Sequence, residues 1–168
     1  MGLLPAGEGV IITRMEQRYD ATVAAVADQA RQYGNHAGRA WYAGVRADHE
    51  ARVVTVFRVP HAAFDDEVRA LLGDTVRVEV ADAPRTRQEL LVAREMAWSI
   101  SGPFEVETVS IPDDGGRLRV FVTGSSWEAQ AQLDRLIPGV ADVIVSRRQV
   151  ADPAFVLAGQ DRRGRPGS

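Results

Sequence analysis

Residues 52–80 and 117–145 form an approximate repeat, about 65 positions apart, and each half reads as strand, helix, strand behind a turn. Asp48 matches Asp113, Arg52 matches Arg117, Val78 matches Val143 and Val80 matches Val145. Phe64 matches Trp127 when a short loop adjustment is allowed. A small sheet can bury only one face, so each half needs a helix across its valines, leucines and aromatics to exclude water. The pattern predicts an α+β fold of small antiparallel or mixed sheets packed by helices, arranged as two related β-β-α-β modules. Apolar burial yields roughly 25 cal/mol per Å² and chain ordering opposes it. We therefore expect the modules to share one core, with four or more strands and the helices on one sheet face.

A chain of 168 residues suits one domain or two closely packed lobes. The order of patterns divides it into an N-terminal extension (1–14), a helix plus first α+β module (15–100), a second α+β module (101–158) and a tail (159–168). Residues 10–13 read as a short strand or an ordered extension. Residues 16–33 read as a helix with Tyr19, Val23, Val26, Ala27, Ala30 and Tyr33 on one stripe, stopped by Gly34-Asn35. Strands are expected at 40–45, 52–59 and 76–80, the last two separated by a helix carrying Phe64, Val68, Leu71 and Leu72. Thr86 and Glu89 have capping-box spacing ahead of a helix with Leu90, Ala93 and Ala97 on one face; Ser125 and Glu128 repeat that spacing. Strands at 105–110 and 118–123 flank the turn at 112–116, and a last strand covers 140–145. The tail's Arg, Gly and Pro content predicts disorder.

The net charge of −3 offers no general attraction to nucleic acid or an anionic membrane. The chain has no lysine, which removes Schiff-base and P-loop lysine chemistry, and no cysteine, which removes disulfides, thiol catalysis and thiolate metal sites. No apolar run approaches the roughly 18 residues of a membrane span. The first 14 residues lack the basic start and long apolar core of a secretion signal. Cytoplasmic residence is the default expectation.

Trp41-Tyr42, Val53-Val54-Thr55-Val56, Asp66-Glu67-Val68-Arg69, Thr75-Val76-Arg77-Val78 and the segment Gly116-Arg117-Leu118-Arg119-Val120-Phe121 together make a hairpin–helix–strand pattern. That pattern, over about 100 residues, resembles the pro-domain repeats of secreted actinobacterial serine proteases. The resemblance implies a domain that acts as a folding chaperone or inhibitor by binding a protease. Neither a signal peptide nor a protease domain is read in these residues, a departure from that family's pattern.

Chemistry-bearing residues are sparse. His49 lies beside Asp48 and Glu50, and His61 near Asp65 and Asp66; imidazole and carboxylate suit a metal or ligand, but neither group has a defining metal spacing. His49 and His61 stand as ligand-site candidates, with no metal, cofactor or catalytic residue assigned. Ser125-Ser126 lacks a nucleophile elbow and reads as a helix cap. Tyr33, Trp41, Tyr42, Trp98 and Trp127, with Arg87 and Arg94 on a basic helix face, form the candidate interaction surface. Arg147, Arg148, Arg162, Arg163 and Arg165 add charge without a nucleic-acid-binding motif. The leading expectation is a noncatalytic intracellular protein-interaction or regulatory domain whose partner is another protein or a second copy, with nucleic acid and membrane disfavoured. The alternative is a small-molecule-binding protein or enzyme with its site between the modules.

Overall fold

The computed structural model describes residues 20–146. The expected strand at 10–13, the terminal extensions, Tyr19 and the arginines from position 147 onward lie outside them. Ten elements follow in order: α1 (Ala21–Asn35), β1 (Tyr42–Asp48), β2 (Val53–Arg58), α2 (Ala62–Leu72), β3 (Arg77–Asp82), α3 (Arg87–Trp98), β4 (Phe104–Ser110), β5 (Leu118–Gly124), α4 (Ser126–Leu136) and β6 (Ala141–Val145). They form two three-stranded sheets, ordered β1-β2-β3 and β4-β5-β6. In each, a hairpin supplies an antiparallel pair and a crossover helix brings the third strand in parallel. The fold is α+β, as the pattern predicts, and a leading helix precedes each β-β-α-β run.

Local chemistry explains the helix starts. Asp20 caps α1, its Oδ1 accepting from the amides of Thr22 and Val23 at 2.9 and 3.2 Å. Thr86 and Glu89 form the expected capping box on α3. Ser125 departs from expectation. It occupies the cap position of α4, but its side chain makes no capping hydrogen bond and its buried Oγ has no partner. Gly34, expected as part of a stop signal, lies inside α1, where any Cβ would collide with the Tyr42 ring.

Sheet register refines the sequence repeat. Val54 pairs with Val78 and Val56 with Val80; Val120 pairs with Val143 and Val122 with Val145. Counted from these pairs, Arg52 corresponds to Leu118 rather than Arg117, because the second crossover is one residue shorter. A one-residue slip exchanges the faces of a strand, and Leu118 is accordingly buried. On the crossover helices, buried Phe64, Val68 and Leu72 correspond to buried Ala129, Leu133 and Ile137. Trp127 precedes Ala129 by two residues, about 200° round the helix, and is 72% exposed.

The expectation of one shared interior and one larger sheet is not met. Val23, Val45, Val54, Val56, Phe64 and Val68 belong to one cluster; Leu118, Val120, Val122 and Leu133 belong to another. Each sheet has its own pair of helices, so each core closes separately. The helix α3, grouped with the first module in the division at residue 101, puts Leu90, Ala93 and Ala97 into the second cluster.

The modules meet by backbone approach. The turn between β4 and β5 lies against β1 and the short connection from β3 to α3. A Cβ on Gly44 would overlap the backbone of Asp113. A Cβ on Gly115, whose φ is +70°, would lie 2.5 Å from the Arg85 carbonyl oxygen and 2.8 Å from the Ala83 Cβ. Nearby, Ala43, Phe57 and Ala83 form a small apolar cluster. Arg85 Nη2 also donates to the Gly139 carbonyl at 3.0 Å, tying the connection to the α4–β6 turn.

The outer edge of β6 carries its own guard. Gln130 on α4 accepts from the Val143 amide at 2.9 Å and donates to the Ala141 carbonyl at 3.2 Å. Among the described residues no side chain makes the corresponding bonds to the backbone of β3.

Gly115→Ala is expected to lower unfolding free energy by about 2–4 kcal/mol, combining left-handed strain with overpacking. Gly139→Ala, with φ +69° and open space around it, should cost only about 1–2 kcal/mol. Urea titrations of both variants check this; equal losses would remove the close approach as the cause.

Candidate functional site

The candidate histidines His49 and His61 are separated by the length of β2, roughly 20 Å for six residues. His49 lies in the β1–β2 turn, its Nδ1 3.2 Å from the Asp20 amide nitrogen at the head of α1. His61 is the cap residue of α2, its Nδ1 accepting from the Phe64 amide at 3.3 Å. Its ring stacks on Trp41, with centroids 3.9 Å apart and planes 11° from parallel. Each of these two histidines therefore has a structural task, and the two ligand-site candidates stay apart in the fold. Among the described residues no group of three or more His, Asp or Glu is arranged to hold a metal.

A charged cluster that sequence reasoning missed closes the end of the β2–β3 pair. Arg58, 8% exposed, donates from Nε and Nη2 to the two oxygens of Asp65 at 2.6 and 2.7 Å. Its Nη1 donates to Asp82. The guanidinium fork thus joins β2, α2 and the end of β3. Hydrogen bonding from Arg58 holds the Asp65 carboxyl below its ordinary range, against the opposing effect of burial. The same partners raise the Arg58 guanidinium. Gly124 takes the corresponding place in the second module, facing Phe104 as Arg58 faces Tyr42, so the clamp has no counterpart there. All its charges are matched internally, and it reads as structural.

The aromatic candidates separate. Tyr42 is 4% exposed and belongs to the first core, so it is removed from the interaction surface. It is the first residue of a strand whose adjoining register is bulged, and its ring lies against Gly34. Tyr33 packs on Phe64 and its hydroxyl donates to Glu67. Burial and the Glu67 carboxylate push its phenol up to about 12. Trp41 is partly covered by His61. Trp98 and Trp127 are exposed, one on α3 and the other on α4.

Three candidates share one ridge. At about 100° per residue, Arg87, Arg94 and Trp98 fall on the same side of α3, and Leu91 falls between them. Leu91 and Trp98 are exposed, as are Val92 and Met96 on the opposite flank. The core-facing residues Leu90, Ala93 and Ala97 occupy a separate arc. The leading helix of the first module serves as an internal comparison: α1 exposes Thr22, Ala25, Asp28, Gln29, Arg31 and Gln32, with no large apolar side chain among them. Leu91, Val92 and Met96 went unread in the sequence. The available signal was that α3 is apolar on nearly every side.

The ridge starts at a shallow cleft between modules, lined by Gly34, Asn35 and Arg39 from the first and Arg87, Gln88 and Leu91 from α3. The cleft holds about 190 Å³, below the roughly 300–1,000 Å³ of small-molecule sites. Its lining has two arginines and no carboxylate. Arg94, further along, is paired with Glu95 at 3.0 Å. Tyr42 lies beneath this corner: burial raises its phenol, while Arg87 and Arg31 act in the opposite direction.

Comparisons with protein-family models, curated proteins and solved structures give no match.

Asp65→Asn should cost about 2–3 kcal/mol at neutral pH. This is the lower side of the range for breaking a buried ion pair, since Arg58 retains the solvent-facing Asp82. The folded-state pKa of Asp65 is depressed, so its contribution is present above the unfolded value near 3.9 and is lost as pH falls through the folded value. The stability gap between wild type and D65N, measured by denaturant titration, should therefore shrink below about pH 4.

Proposed function

We propose that this chain is a noncatalytic, intracellular protein-interaction domain that docks a partner on the outward side of α3. The observation carrying this reading is the ridge of Arg87, Leu91, Arg94 and Trp98, about 100° round α3 from the arc of Leu90, Ala93 and Ala97 that is already committed to the second core. Aromatic side chains, Met and Arg are the groups enriched at protein interfaces, and a few such anchors supply most of the binding energy. The surface of α1 supports the reading by contrast, because the exposed residues of the leading helix in the other module include no large apolar side chain. The resemblance to pro-domain repeats, which act by binding a protein, is compatible with it.

A second reading is a small-molecule-binding protein or enzyme with its site between the modules. The cleft at Arg39 and Arg87 occupies that location. Its limited volume favours an anchoring role within a wider surface over enclosure of a substrate. Neither His49 nor His61 lines it.

A photo-crosslinking amino acid placed at Gln88, and separately at Ala25 on α1, tests the reading in cells. The expected result is a discrete protein adduct from position 88, none from position 25, and loss of the adduct when Leu91→Glu and Trp98→Ala are added. Adducts of equal yield from both positions, or insensitivity to those substitutions, would refute docking on α3.

A further inference from the structure

We infer that the partner segment docking on α3 is acidic and amphipathic, with its carboxylates anchored at Arg39 and Arg87 and its apolar side chains laid along Leu91 and Trp98. The inference rests on the proposed docking role of α3 and specifies what it takes.

The charge pattern leads to this choice. Arg31, Arg52, Arg58, Arg69, Arg77, Arg94 and Arg117 all pair with carboxylates of the chain. Arg39, Arg46, Arg85, Arg87, Arg119 and Arg135 have no such pair among the described residues, and of these Arg39 and Arg87 line one cleft that has no acidic group in its wall. They come from different modules, so the joint between the modules brings the two residues to one cleft. Asn35 and Gln88 add amide donors beside them. Two cations and two amides facing an open cleft form a receptor for oxyanions, and arginine forks match carboxylate geometry.

The apolar part follows from continuity. Leu91 belongs both to the cleft wall and to the exposed ridge. From Arg87 the ridge advances by four, three and four residues through Leu91 and Arg94 to Trp98. A helical partner with apolar groups at matching spacing can lie along it while its acidic end reaches the cleft. A basic segment would meet Arg39 and Arg87 with like charge, and a wholly apolar one would leave both guanidinium groups desolvated without compensation.

The experiment is a yeast-displayed random-peptide library selected on the purified full chain. Enriched peptides are then measured individually against wild type, R39Q/R87Q and L91E/W98A, after circular dichroism shows that both variants fold. Enriched sequences should carry clustered Asp or Glu at one end of an apolar i, i+4, i+7 series. R39Q/R87Q should weaken them about tenfold or more, and high salt should weaken wild-type binding in the same direction. Enrichment of neutral or basic sequences overturns the inference. So do acidic peptides that ignore R39Q/R87Q; loss on L91E/W98A in that case would leave docking on α3 standing. Peptides indifferent to L91E/W98A would instead sink the docking role itself. Concentration-dependent self-association abolished by L91E/W98A, without acidic enrichment, would assign the ridge to a second copy and overturn the acidic partner.

Discussion

Two glycines allow the backbones of the modules to touch. At Gly44 the first sheet admits the Asp113 peptide, and at Gly115 the returning turn admits Arg85 and Ala83. The large apolar clusters do not bridge the halves: each is closed by its own helices. Relative placement therefore depends on a small joint of turn, strand edge and short connection, reinforced by Arg85 reaching the Gly139 carbonyl. Every feature that draws on both modules inherits its geometry from this joint. The pairing of Arg39 with Arg87 across a single cleft is the plainest case, since neither residue's own module would create it.

The same joint explains the unusual setting of α3. Its inward arc is fully used in the second core, while its first turn abuts the end of α1. Extra apolar side chains on such a helix add nothing to its own module's burial. They cost solubility unless something covers them. The contrast with α1 matters because both helices lead a β-β-α-β run and cover a sheet of the same order. A requirement of the fold would impose the same surface on both, and it does not.

Much of the architecture was legible from elementary patterns. Alternation of Val76, Val78 and Val80, the punctuation at residues 112–116 and the Thr86–Glu89 spacing each encode a local outcome that neighbours did not override. What the sequence hid was relational. Matching Arg52 to Arg117 looks natural in one dimension, but ladder pairing counts from Val54 and Val120 and shifts the match by one. Trp127 looked like Phe64 until the helix phase put Ala129 in the inward place. Tyr42 resembled a surface anchor beside Trp41, but the bulge between Tyr42 and Gly44 and the absence of a Cβ at Gly34 let its ring join the core. Separate cores were unreadable because composition counts apolar residues without saying which helix covers which sheet. The ridge was half visible: its arginines and Trp98 stood out, whereas Leu91 was hidden by its neighbour Leu90, which faces inward.

The Gln130 side chain gives the second sheet a polarity that the first lacks. By occupying the Val143 donor and the Ala141 acceptor, a single amide imitates the next strand and terminates the ladder from within the molecule. Growth by lateral accretion, the route that leads small exposed sheets toward fibres, is thus discouraged at β6 by a group that cannot propagate the pattern. The β3 border has no equivalent terminator among the described residues, so of the two strands brought in by crossover helices, β3 is the more open to pairing with another chain.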